Sequence, residues 1–275
     1  MNLTAQSFGL SHVQARLARL QPNLQQLPPP GSRPLVIAGR VCGWITPRAV
    51  EAVAALSGVR VEQEAVHIYA GGAFGHQLDI VLESVAVALR DAGCLRGWRN
   101  ELLDVVGEGR CLGVIERAAL RPLGLLTRAV HLNAWTPDGR LWVARRSLTK
   151  TTNPGLLDTL VGGLAGAGET MDESLLRESH EEAGLTPAHL ASRSALLTLQ
   201  RMHRRLPEGY QVEDVLISEC VLPPSVQPVN LDGEVSEFLA LTPDEVWPLL
   251  CEDQFTLEAE LVVLESLRAR LSASA

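Results

Sequence analysis

Glu178, Glu181 and Glu182 crowd together inside the stretch GLAGAGETMDESLLRESHEEAGL, which runs from position 163 to 185. Like charges one helical turn apart destabilise a helix and raise one another's pKa, and Arg177 can balance only part of that charge. A hard divalent cation is the economical remedy, because carboxylate oxygens are its natural ligands. Mg2+ in particular uses a few carboxylates together with water and substrate phosphate. The cluster therefore reads as a metal cradle, against the plainer reading of a solvated acidic helix face.

The elements that must hold these groups are also legible. Thr170 and Glu173 stand in the T-x-x-E relation of a capping box, and Gly184 falls where a helix ends in a left-handed residue. The spacing predicts a helix from about Met171 to Ala183. On it the three glutamates fan over about 100 degrees, while Leu175, Leu176, Ser179 and Ala183 gather on another side that can pack on a sheet.

Around this helix, LLTRAVHLNAWTPDGRLWVARRS reads as two strands joined by the hairpin signal Pro137-Asp138-Gly139. ALLTLQRMHRR, YQVEDVLISECVL and VSEFLAL read as further strands, and FTLEAELVVLESLRARL as a closing amphipathic helix. Strands on both sides of a charged helix predict a mixed sheet sandwiched by helices. Before residue 123 the pattern differs. A first helix with Phe8, Val13, Leu17 and Leu20 on one side precedes the stiff connector LPPPGSRP. Strand-like LVIAGRVCGWI, a helix begun by Pro47, strand-like VRVEQEAVHIYA and helical HQLDIVLESVAVALRDAG follow, then CLRGWRNELLDV and GRCLGVIERAAL. The expected division is a smaller α+β accessory domain at 1–122 and a second domain at 123–275.

Composition bounds the partners. A net charge of −8 over 275 residues, with no local run of lysine or arginine, argues against polymeric nucleic acid. No apolar run approaches the ~20 residues that span a bilayer, and the N-terminal stretch lacks a signal peptide's continuous apolar segment. Five scattered cysteines, none in a C-x-x-C pair, read as small core residues in a reducing cytoplasm.

The spacing of Gly163, Glu169, Arg177-Glu178, Glu181-Glu182 and Gly184-Leu185 matches G-x5-E-x7-R-E-U-x-E-E-x-G-U, the signature of the Nudix hydrolases, which this stretch resembles. Only Ser179, where a bulky aliphatic residue is usual, departs from it. The resemblance implies an α/β/α sandwich and a hydrolase that cleaves a diphosphate linkage of a small molecule with Mg2+ or Mn2+. It implies Glu178 and Glu182 as principal metal ligands, Glu181 as a further ligand, Arg177 as the residue that orients the carboxylates, and Glu169 as support of the loop and helix. Gly163 and Gly184 would permit the turns at each end. The general base comes from Glu178 or from a later acid, Glu213, Glu234 or Glu237. More loosely, ARRSLTKTTNPGLLDTLVGG, the segment after the helix, and the phrases WRNELLDV and VIERAA resemble the Nudix branch related to thiamine pyrophosphokinase proteins, whose members carry an N-terminal domain of uncharacterised function. That branch implies thiamine diphosphate or its damaged analogues as substrate, and the family admits a homodimer.

Other residues stand beside these. Arg145, Arg146 and Lys150 are candidates to hold substrate phosphate or else a solvated strand end. Trp44, Trp98, Trp135 and Trp142 can stack on a heterocycle or fill cores. His180 begins no H-E-x-x-H motif, since position 184 is glycine, and its ring is expected to be exposed. Neither G-x-G-x-x-G nor G-x-x-x-x-G-K-[ST] occurs. The rival substrates are ADP-ribose or another nucleoside diphosphate sugar, and an oxidised nucleoside triphosphate of the 8-oxo-dGTP type. Rival classes are a non-catalytic ligand-binding regulator, whose mark would be a lost glutamate, and an isoprenoid diphosphate isomerase, which needs a cysteine opposite the metal.

Overall fold

The computed structural model describes residues 8–70 and 76–273. The first seven residues of the N-terminal stretch lie outside the described residues.

Helix α1 (Leu10–Leu24) buries Val13, Leu17 and Leu20, as their spacing requires. β1 (Arg33–Ile37) and β2 (Arg40–Ile45) form a hairpin across Gly39. α2 (Pro47–Val53) begins at its proline, with Thr46 as the cap. VRVEQEAVHIYA is two strands rather than one: the polar run Glu62 to Glu64 reverses the chain, so β3 (Val59–Val61) and β4 (Val66–Ile68) pair antiparallel. α3 (His76–Asp91) stops before Gly93, and β5 (Leu102–Gly107) and β6 (Arg110–Glu116) form a second hairpin. A 3-10 turn at Arg117–Ala119 leads into α4 (Leu120–Leu123). The sheet runs β2-β1-β4-β3, and α3 closes a core built from residues such as Leu35, Ile37, Leu82 and Ile115.

The later part holds β7 (Leu126–Trp135), β8 (Leu141–Arg146), β9 (Leu157–Thr159), β10 (Val161–Leu164), α5 (Met171–Ala183), β11 (Leu197–Leu206), β12 (Gly209–Val221), β13 (Val235–Leu241), α6 (Pro243–Cys251) and α7 (Leu257–Ala273). Its strands run β11-β12-β7-β8-β13, with β10 also on β7 and β9 on β8. β12 and β7 are parallel and the other pairs antiparallel, so the sheet is mixed as expected. α5 sets Leu175 and Ala183 against Val130, Leu132 and Val161 on one face. α7 sets Leu261, Val262 and Leu264 among Trp135, Val143 and Val215 on the other. The result is a helix–sheet–helix sandwich beside a smaller α+β body.

Several sequence expectations need correction. α7 is not amphipathic: Leu261 to Leu264 are all buried, because α1 packs on the side turned away from the sheet. Buried Arg16 of α1 donates its Nε to the buried carboxylate of Glu260, so α1 belongs to the later core even though it lies within 1–122. A division near residue 122 is thus proposed for the segment from β1 to α4 alone. α6 has no counterpart among the expected elements, although Thr242 and Glu245 form a capping box at its start. Finally, Cys94 and Cys220 are buried, but Cys111 and Cys251 are exposed, so not all five cysteines are core residues.

Candidate functional site

The expected bounds of α5 hold, and its ends show why. Thr170 Oγ1 accepts from the Glu173 backbone N–H at 3.2 Å, and the Glu173 carboxylate accepts from the Thr170 N–H at 2.9 Å. Gly184, at φ 63°, closes the other end and donates to the His180 carbonyl. His180 itself is exposed.

Arg177 sits at the centre of the acidic cluster. It donates Nε to Glu169 Oε1 at 2.6 Å and Nη2 to Glu169 Oε2 at 2.9 Å. Its Nη1 reaches Glu178 at 2.8 Å and Glu181 at 3.0 Å. Glu169 in turn accepts from the Gly166 N–H and the Ser174 hydroxyl, both at 2.8 Å, which ties the loop before α5 to its first turn. Hydrogen bonding from Arg177 holds the Glu169 carboxyl down at about 2, well below the ordinary carboxylate range.

Glu178 leans across β10. A Cβ at Gly163 would stand 2.0 Å from its Cδ, so only glycine leaves it room. Glu182 is buried, accepts from the Gly162 N–H at 2.9 Å and lies 3.4 Å from Lys150 Nζ. Lys150 also pairs with Glu234. Oxygens of Glu182, Asp232 and Glu234 all lie within 4.8 Å of one another. Burial pushes Glu178 up to about 7 and Glu182 up to about 8. Burial works the same way on Glu234, but Lys150 outweighs it and holds that carboxyl below its usual value.

A cavity of about 510 Å3 opens on Glu178, Glu181, Glu182 and Glu234. Arg146 and Lys150 line it, whereas Arg145, one residue along β8, points elsewhere and pairs with Glu237 at 3.0 Å. Glu213 lines an adjoining cavity instead. Of the three later acids expected as bases, Glu213, Glu234 and Glu237, only Glu234 lines this cavity, where it meets Glu182. Trp135 is fully buried under Arg270, and neither it nor Trp44, Trp98 or Trp142 lines either cavity.

Sequence reasoning missed four charged members of this cavity, Asp232, Arg99, Glu101 and Arg117. Asp232 was hidden among ordinary loop acids two positions before Glu234. Arg99 and Arg117 come from the smaller body, where no motif marks them. Arg99 donates to the Thr151 hydroxyl, and Arg117 pairs with Glu101 at 2.7 Å.

The donor set fits a hard divalent cation. Its groups are carboxylate oxygens drawn from two separate segments, the buried Glu182 and the exposed Asp232 and Glu234, and Lys150 is the one lysine that pairs with them, between Glu182 and Glu234.

A mixed-sheet sandwich with a capped carboxylate helix beneath a cavity defines a domain that gathers acidic side chains at one place. The NUDIX domain model matches residues 125–260. The Nudix hydrolase YfcD of Salmonella typhi, itself uncharacterised, is 34% identical over 149 residues, which are 54% of this chain and 75% of that protein. The chain belongs to the Nudix family. Nudix hydrolase 24 of Arabidopsis thaliana, a chloroplastic protein, is 33% identical over 186 residues, 65% of this chain and 50% of that protein. The chain thus spans about half the length of this plant relative. The crystal structure of DR0079 from Deinococcus radiodurans shares 28% identity over 59% of this chain and 97% of its own, with a TM-score of 0.46.

Proposed function

We propose that this chain is a pyrophosphohydrolase dependent on Mg2+ or Mn2+, which splits a diphosphate linkage of a small molecule with water. The observation that carries the reading is the meeting of Glu178, Glu181 and Glu182 with Asp232 and Glu234 around one cavity whose rim bears Arg117, Arg146 and Lys150. Glu178, Glu182 and Glu181 would hold the metal, which when bound neutralises diphosphate charge and acidifies water.

The chain's own residues supply the rest. Arg177 fixes the rotamers of Glu178 and Glu181 through one shared guanidinium nitrogen. The Gly162 N–H orients Glu182. Glu234 is the candidate base best placed to take a proton from water, because it alone of the three later acids enters this cavity. Arg146 and Arg117 are set to hold the phosphate that departs.

Within this class, thiamine diphosphate and its damaged analogues are the favoured substrates, on the resemblance outside the carboxylate helix. An isoprenoid diphosphate isomerase is disfavoured, since among the described residues no cysteine lines either cavity. A purely ligand-binding role is disfavoured by the complete set of acids. A cytoplasmic setting is favoured by five free cysteines.

The test is phosphate or monophosphate release from thiamine diphosphate, oxothiamine diphosphate, ADP-ribose and 8-oxo-dGTP, with and without Mg2+. Glu182→Gln should abolish the Mg2+-dependent turnover with the fold intact. Full activity in that variant would overturn the reading.

A further inference from the structure

Beside the carboxylate cavity lies a second one of about 370 Å3, which shares Arg117, Arg146, Thr152 and Gly163 with the first. Its two ends differ in chemistry. At the rim stand Arg96, which is exposed, and Arg121, which is half-buried, both from the smaller body. On the other side are Glu213 of β12, Glu258 in the first turn of α7 and His131 of β7, with Arg204 of β11 beside Glu258.

The hydrogen bonds leave that second side short of donors at two points, His131 and Glu213. Thr159 donates its single hydroxyl proton to the Val161 carbonyl at 2.7 Å. Its oxygen must then accept from His131 Nδ1, 3.1 Å away, so Nδ1 carries the imidazole proton. Burial lowers the His131 pKa and keeps the ring neutral. Its Nε2 is left a bare acceptor, on a residue only 5% exposed, with no partner among the described residues.

Charge points the same way. Asp158 pairs with Arg146 at 2.8 Å and Glu258 with Arg204 at 2.9 Å. Glu213 is buried as well, yet it accepts only from neutral groups, the Thr127 hydroxyl at 2.7 Å and the Gln211 amide at 3.0 Å. Among the described residues no cation pairs with it. A buried carboxylate without a countercharge is costly, and such a group facing a cavity is relieved by a ligand that brings positive charge or N–H donors. Its place in this cavity rather than beside the clustered glutamates also fits recognition better than proton transfer.

We propose that the second cavity is the subsite for the organic half of the substrate, and that it selects a nitrogen heterocycle presenting N–H donors or positive charge to Glu213, Glu258 and His131. The arginine rim suits the diphosphate end, so the whole groove suits a molecule anionic at one end and cationic or donor-rich at the other. A hydrocarbon group would leave His131 Nε2 without a donor and Glu213 without a cation, which is the situation in which polar sites discriminate most strongly. The inference rests on the hydrolase reading for the direction in which the ligand lies, but not for binding itself.

Two probes of similar size separate the possibilities: thiamine diphosphate, which carries an amino group and a cationic ring, and 2-(3-benzylphenyl)ethyl diphosphate, which has two linked rings and the same ethyl arm but carries neither. The first measurement is calorimetric binding to the wild-type protein in EDTA, where no Mg2+-dependent turnover occurs. The second is kcat/KM for both probes with Mg2+. Wild type should prefer the heterocyclic probe by at least about tenfold, and Glu213→Gln, which keeps the shape and removes the charge, should cut that ratio about tenfold, mainly through KM. Equal affinity of wild type for the two probes, or an unchanged ratio in Glu213→Gln, overturns the proposal. Should Glu213→Gln fail to fold, the wild-type comparison decides alone. If neither probe is hydrolysed, the hydrolase reading loses its support, while the EDTA titration still decides whether the cavity prefers the heterocycle.

Discussion

Arg177 and Glu169 are joined by two parallel hydrogen bonds, Nε to Oε1 at 2.6 Å and Nη2 to Oε2 at 2.9 Å, across the junction of a glycine-rich loop and the helix it enters. Such a fork has only one geometry, so it fixes the angle at which α5 leaves the loop. The remaining guanidinium nitrogen then finds Glu178 and Glu181. Positioning of the acids is thereby coupled to a contact that touches no substrate.

Arg177→Lys keeps the charge and loses the fork. The expected result is a metal affinity lower by about 10- to 100-fold, the usual penalty for losing an outer partner of a ligand, with the fold retained. Titration of Mg2+ against activity checks it. An unchanged Mg2+ midpoint would show that the acids orient themselves.

The same pair gives an acid-stability prediction. Glu169 titrates near 2 in the folded protein, below its ordinary value of 4.5. A depressed carboxylate contributes stability that is complete above the ordinary value and is lost as pH falls through the folded one. Between about pH 4.5 and 2 the wild-type thermal midpoint should therefore fall more steeply than that of Glu169→Gln. Parallel pH profiles for the two proteins would argue against the ion pair.

Gly163→Ala tests the close passage of Glu178 over β10. The added methyl would stand 2.0 Å from the carboxyl carbon, so the acid must move. A displacement of about 1 Å at a reacting centre costs about 100-fold in rate, and that is the loss expected in kcat. Circular dichroism should show the fold intact, because Gly163 lies next to the cavity and not in the core.

Metal binding and pH should be linked in a definite direction. Glu178 and Glu182 are pushed up to about 7 and 8, against an ordinary 4.5. An acid whose pKa rises on folding is unpenalised below pH 4.5 and weakens the fold increasingly as pH climbs to the raised value. A divalent cation cancels that penalty by holding the charged form. The Mg2+-induced gain in thermal midpoint should thus be larger at pH 8.5 than at pH 5.5, and Glu182→Gln should lose most of it. A gain that does not depend on pH would place the ion elsewhere.

What the sequence discloses is what lies close together along the chain. The cap at Thr170, the stop at Gly184 and the order of the acids between them are local, so α5 can be drawn to the residue before any fold is known. Lys150, Asp232 and Glu234 meet Glu182 only because β8 and β13 pair side by side and their adjoining loops converge. Arg99 and Arg117 depend on how two bodies pack, which no periodicity encodes. α7 departs from its expected character for a related reason: its outward side is apolar since α1 covers it, and a partner from the far end of the chain leaves no mark on local spacing.

Ser179 offers a last check, on packing instead of chemistry. It occupies the position where the family pattern has a bulky aliphatic residue, and it is fully buried with its hydroxyl unpartnered among the described residues. A buried donor without an acceptor costs about 1–3 kcal/mol, and replacing it by an apolar group of similar size removes that cost. Ser179→Ala should therefore raise the thermal midpoint, at about 2–4 °C per kcal/mol for a domain of this length, without altering Mg2+-dependent kinetics. A lower midpoint in that variant would mean that a buried water holds the hydroxyl, and the space beside α5 would then be wet.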